Sequence, residues 1–163
     1  MSHNGQLIRT GIYKNKENIN CIIFAHVIHS ETNQQYMLAT HDKSKGAFCI
    51  NLMGNFMHNY TLAESYLYPD ILEHLALDIE IGTYEHYKSN MTNRKLYNVL
   101  GSAAIDSQRV VVYYPLYGSQ TLMARPMHPV HEADKSEGAF LQNIIIPEID
   151  YDGPRFMRIG ELS

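Results

Sequence analysis

The sequence predicts a mainly β (α+β) protein, built as two related small barrel-like antiparallel β units joined by a short helical segment. Three observations carry this expectation. Runs of β-branched and aromatic residues of strand length recur along the chain, among them CIIFAHVIH, KLYNVLGSAAI and QRVVVYYPLY, and polar or Gly/Pro turn residues bound them. A helical spacing of apolar residues stands out in a single stretch, after Thr61. The two halves also read alike: Gly11-Ile-Tyr13 matches Gly82-Thr-Tyr84, and Phe48–Met53 falls over Leu122–Met127. The expected division is a first β unit over 1–60, a helical linker over 61–80, and a second β unit over 81–163 ending in a hairpin.

Taken in order, Tyr13–Asn15 leads through the polar KNKEN into CIIFAHVIH, whose β-branched content suits a buried strand. SETNQ then turns the chain into QYMLATH, and the DKSKG loop leads into AFCINLM, giving a three-stranded meander over residues 20–53. Thr61-Leu-Ala-Glu64 matches a capping box, and Leu62, Tyr66, Ile71, Leu72, Leu75 and Ala76 can share one helical stripe. Pro69 interrupts it, because a mid-helix proline costs about 3 kcal/mol. One broken helix or two short ones is therefore expected between 61 and 78. Strands return as KLYNVLGSAAI, QRVVVYYPLY and QTLMARPM, and the tail reads as NIIIPEI and PRFMRIG on either side of a YDGP turn.

Bulk properties narrow the function. The chain has 163 residues and a net charge of −4, so no global basic surface draws a nucleic-acid backbone. Cys21 and Cys49 lie in apolar contexts, NCIIF and AFCIN, and read as reduced core residues rather than a disulfide framework. MSHNGQLIRT has no apolar leader and no run reaches membrane length, so the expected compartment is the cytoplasm, or the host cytoplasm for a viral protein. Small β units leave edges that need covering, which predicts a homo-oligomer.

The nine histidines suggest a metal, but His26/His29 and His128/His131 are spaced i, i+3. On a strand that spacing sends the rings to opposite faces, so no metal and no cofactor is expected. There is no G-x-S-x-G elbow and no G-x-x-x-x-G-K loop. What remains is a set of tyrosines and cations in the second half: Tyr84, His86, Tyr87, Lys88, Tyr113, Tyr114, Tyr117, Gly118 and Arg125. Tyrosine faces stack on flat rings, arginine forks onto phosphate or base edges, and glycine lets backbone amides approach a ligand. Strand alternation puts Tyr113 and Tyr114 on opposite faces, so one of them belongs to the core. Lys43 and Lys45, in the HDKSKG loop, add a local positive patch suited to gripping a phosphate.

The motifs GTYEHYK (82–88), LYNVLG (96–101), VVYYPLYG (111–118) and ARP (124–126) resemble, in order, those of a small bacterial and phage family of unknown function. Met123 stands where that pattern has a tryptophan, and MHPVH replaces an aromatic after the Arg-Pro. The resemblance implies a compact β domain and candidate positions, but no reaction. In size and style the chain is also similar to phage sponge proteins that bind cyclic-nucleotide immune signals. The expected function is non-catalytic binding of a small anionic ligand, a nucleotide above all, with Tyr84, His86, Tyr87, Lys88, Tyr114, Tyr117, Gly118, Arg125, Lys43 and Lys45 as contacts. The alternatives are a protein- or nucleic-acid-interaction module, or an enzyme acting on a modified nucleotide.

Overall fold

The computed structural model describes residues 9–30, 32–41, 46–51, 60–65, 71–105, 108–128 and 139–163. Among them the chain is mainly β. In chain order the strands are β1 (Gly11–Asn15), β2 (Asn20–His29), β3 (Gln35–Thr40), β4 (Phe48–Asn51), β5 (Tyr60–Ser65), β6 (Gly82–His86), β7 (Leu96–Ile105), β8 (Gln108–Pro115), β9 (Met123–Pro126), β10 (Asn143–Ile146), β11 (Tyr151–Pro154) and β12 (Phe156–Gly160). One helical turn, α1 (Ile71–His74), precedes β6.

Ten strands form one sheet that closes on itself as a ring, β2-β3-β4-β7-β8-β9 and back to β2. Within each run the pairs are antiparallel, whereas the two joints are parallel: β2 meets β9 at Ile28/Met123, and β4 meets β7 at Phe48/Ala104. β1 and β5 extend the sheet beyond β2, and β6 and β12 extend it beyond β7. The ring is filled by Phe24, Val27, Leu38, Val110, Val112 and Ala124, all buried. Two further apolar clusters accompany it, one around Tyr13, Ile23 and Met37, the other around Tyr84, Val99, Tyr113, Phe140 and Phe156.

The pairing of β1–β4 recurs in β6–β9. Tyr13 faces Cys21 as Tyr84 faces Tyr97. The register slips between Ile23/Ala39 and Ala25/Leu38, and again between Val99/Tyr113 and Gly101/Val112. Both joints use the same bond, Ile28 N to Leu122 O at 3.1 Å and Ala104 N to Ala47 O at 2.9 Å. Both leading tyrosines donate to a carbonyl four residues back, Tyr13 to Arg9 O and Tyr84 to Glu80 O, each at 2.7 Å.

Several elements differ from the sequence expectation. Thr61–Glu64 is strand, not the start of a helix: Tyr60–Ser65 pairs antiparallel with β1, placing Leu62 opposite Tyr13. A partner some fifty residues away outweighs a local capping pattern, since propensity is a weak prior against tertiary pairing. Residues 66–70, including Pro69, lie outside the described residues. Among the described residues of the linker the helical part is the turn Ile71–His74, after which Leu75–Asp78 lies along β7. Ala76 pairs with Ser102 through both backbone bonds at 3.0 Å, and the Ser102 hydroxyl bonds Asp78 and receives Arg109 Nη2. Gly101 permits this closeness, because a Cβ there would meet Ala76 O and Leu75 Cβ at 2.8 Å. In the tail, YDGP is strand β11 and not a turn. The chain reverses over the 3₁₀ turn Pro147–Ile149 and left-handed Asp150, so that Ile146 pairs with Tyr151. Pro147 supplies the fixed φ that starts this turn.

Candidate anion-binding site

The site forms where four strand ends meet. The His86 amide donates to Lys95 O at 3.0 Å, which folds the 87–94 connection back onto the start of β7. Tyr87 N donates to Arg155 O at 3.0 Å and Leu116 N to Leu96 O at 2.9 Å, so β12 and β8 end at the same level. Alternation then selects the face. Tyr84 and His86 point the same way, Phe156 stands opposite His86, Tyr97 opposite Tyr84, and Tyr113 opposite Val99. Arg125, opposite Val111, joins that face from β9.

The floor is aromatic. Phe140 lies flat on Phe156, with centroids 4.1 Å apart and rings 4° from parallel, and Tyr97 meets Phe156 edge-on at 5.3 Å. Tyr97 and Tyr117 share a hydroxyl–hydroxyl bond of 2.6 Å. Tyr87 stacks on Tyr151 from β11 at 5.4 Å, and the His86 ring lies 4.6 Å from Tyr87. Cations sit over these rings: Lys95 over Tyr117 at 5.7 Å, Lys88 over Tyr87 at 5.9 Å, and Arg125 over Phe156 at 5.7 Å. Arg125 Nε also donates to the Tyr113 hydroxyl at 3.1 Å.

His86 registers this surrounding. Burial, followed by the charges of Arg155, Arg125, Lys88 and Lys95, pulls its pKa down from 6.5 to about 4. Its Nδ1 accepts the Lys88 amide at 3.1 Å, so the single proton of the neutral ring sits on Nε2. Tyr97 is held protonated: burial raises its pKa first, and the bond to Tyr117 adds to this.

Of the residues nominated from sequence, the fold brings together His86, Tyr87, Lys88, Tyr117 and Arg125. Gly118 follows Tyr117 in the turn with φ +63°, a left-handed conformation that glycine adopts without strain. Tyr84 belongs to the core: it is 6% exposed and its hydroxyl is spent on Glu80 O. Tyr113 is the core member of the tyrosine pair, at 1% exposure, while Tyr114 turns to the other face and accepts from Asn98 Nδ2 at 2.8 Å. Lys43 and Lys45 lie outside the described residues. Sequence reasoning missed Lys95, Tyr97, Tyr151, Arg155 and Phe156. The alternation of K-L-Y could have found Lys95 and Tyr97, since both share the face of Val99. Nothing local marks Arg155, which arrives only through the pairing of β12 with β6.

The first half shows what the same strand register holds without this chemistry. Cys21, Ala39 and Ile50 occupy the pairing positions that Tyr97, Tyr113 and Arg125 occupy in the second. Fold and site together define a closed-ring β protein with a cation-and-aromatic cluster at one sheet end. Residues 82–158, a little under half of the chain, match the family described as a protein of unknown function (DUF1653). That segment runs from the first residue of β6 into β12 and contains every residue of the cluster. No curated protein and no solved structure matches the chain.

Proposed function

We propose that the protein binds, without chemically changing it, a small anionic ligand with a flat ring, most specifically a nucleotide. One observation carries this reading: four cations act on one partly buried, neutral histidine above an aromatic floor, in a chain of net charge −4. Such an arrangement is costly unless an anion joins it, because like charges near a desolvated site repel. The exposed ring of Tyr117 offers stacking worth about 1–3 kcal/mol per base. The same groups argue against catalysis. His86 has Nδ1 engaged and its pKa far below 7, and Tyr97 is held protonated, so neither is poised as a general acid or base near neutrality.

Sequestration of cyclic-nucleotide immune signals, as by a phage anti-defence sponge, is the specific form of this proposal. Differential scanning fluorimetry against cyclic di- and trinucleotides and ADP-ribose derivatives tests it. A rise in melting temperature, with intact ligand recovered after denaturation, is expected. No shift with any of these compounds overturns the binding reading, and recovery of a cleaved product overturns the non-catalytic one.

A further inference from the structure

Resting on the anion-binding reading, we propose that the ligand is a phosphoryl compound and that its phosphoryl oxygens are met by His86 Nε2–H together with the ammonium groups of Lys88 and Lys95. Two features of the cluster point to this chemistry rather than to a carboxylate.

The first is the division of labour among the cations. Arg155 is 6% exposed, and its guanidinium is committed to structure, Nε to Ala139 O at 3.0 Å and Nη2 to Gln142 Oε1 at 3.3 Å. Arg125 gives Nε to Tyr113 and lies over the Phe156 ring. The two arginines thus supply field and hold the floor. The lysines, at either end of the 88–95 connection, both adjoin His86 through the backbone, and their ammonium groups lie over different rings, Lys88 over Tyr87 and Lys95 over Tyr117. An arginine fork grips carboxylate and phosphate alike, whereas lysine ammonium groups are point charges that can meet the several oxygens of a tetrahedral group from different directions.

The second is the fixed tautomer of His86. Because Nδ1 receives the Lys88 backbone N–H, the ring offers a neutral N–H donor, and the same bond places the Lys88 residue beside it. A neutral donor among cations can bond an arriving anion without first giving up a proton, and a hydrogen bond to a charged oxygen is stronger than one to a neutral oxygen. Tyr87, bracketed by His86 and Tyr151, has its ring covered, so a base or other flat group would stack on the exposed ring of Tyr117 instead.

The test compares matched probes on the full chain at constant ionic strength: phenyl phosphate against benzoate, and AMP, 3′,5′-cyclic AMP and inorganic phosphate against adenosine. The readouts are thermal shift and the His86 imidazole resonances by long-range ¹H–¹⁵N NMR. Phosphoryl probes are expected to move the Nε2 resonance and to stabilise the protein, with benzoate and adenosine weaker by tenfold or more. Lys88→Met with Lys95→Met, which keeps the apolar stems, is expected to lower phosphoryl affinity at least tenfold while the free protein melts within about 2 °C of wild type. Equal binding by inorganic phosphate and AMP supports the phosphoryl assignment and identifies the phosphate alone as the determinant; preference for AMP or cyclic AMP adds the stacked base. Benzoate binding as tightly as phenyl phosphate overturns the phosphoryl assignment but leaves anion binding standing. Silence of every probe in both readouts overturns both.

Discussion

Replacing Tyr84 by phenylalanine separates the core from the site. Tyr84 leads the face that carries His86, yet its ring meets Phe140 edge-on at 5.3 Å and its hydroxyl donates to Glu80 O at 2.7 Å. The substitution keeps the ring and removes one neutral hydrogen bond, which costs about 0.5–1.5 kcal/mol. For a chain of this size, 1 kcal/mol corresponds to a drop of about 2–4 °C in melting temperature. Tyr13→Phe removes the corresponding bond to Arg9 O and is expected to cost the same within a few tenths. Urea unfolding of both variants, with unchanged m, measures the loss. Affinity of Tyr84→Phe for any ligand of the site stays at the wild-type value. A tenfold loss of affinity with unaltered stability would refute this assignment and return Tyr84 to the ligand contacts. A large cost for one tyrosine and none for the other would refute the equivalence of the two hydroxyls.

NMR titration is expected to place the His86 pKa near 4, and removing the Lys95 charge raises it. The folded pKa lies below the unfolded 6.5, so the contribution of neutral His86 to stability is complete above pH 6.5 and is lost as pH falls toward 4; stability that rises on acidification through this window contradicts it. Phe140→Ala removes a ring that is 1% exposed and stacked on Phe156, and is expected to cost about 3–5 kcal/mol in urea unfolding, with a loss under 1 kcal/mol arguing against a packed floor. Burial raises the thiols of Cys21 and Cys49 to about 11 and about 12; fully buried Cys21 is expected to react with Ellman's reagent at pH 8 only after denaturation, and half-buried Cys49 to react slowly in the native state. Rapid native-state labelling of Cys21 would show that its thiol is not buried.

The strands were legible where composition and alternation agreed, as in β2, β7 and β8. They were illegible where a distant partner decided the outcome. Thr61–Glu64 carries a sound helix-start pattern and is nonetheless a strand, because β1 lies beside it. The parallel joints that close the ring join residues far apart in sequence, Phe48 with Ala104 and Ile28 with Met123, and no local pattern announces them. At the site, alternation correctly split Tyr113 from Tyr114 but could not say which was core, since the two differ only in which side of β8 is covered. Tyr84 was nominated for a related reason: a buried tyrosine whose hydroxyl finds a carbonyl, as Tyr84 does, has the same local sequence signature as one that stacks on a ligand. Lys95 and Arg155 become neighbours of His86 only after β7 and β12 flank β6.

The comparison between halves gives the cluster its physical meaning. At matched pairing positions the first half manages with a thiol, a methyl group and an isoleucine, so nothing in the strand register itself requires two phenols and a guanidinium. Holding Tyr97, Tyr113 and Arg125 there brings polar groups into a partly desolvated face, and each has to be satisfied: Tyr97 by Tyr117, Tyr113 by Arg125. Even so satisfied, the arrangement holds His86 neutral, its pKa depressed first by burial and then by the charges of Arg155, Arg125, Lys88 and Lys95. A fold that needed only packing at these positions gains nothing from gathering four cations around a neutral ring. On the anion-binding proposal, a bound anion would offset the mutual repulsion of these cations, and the aromatic floor and the cations would then act as one surface.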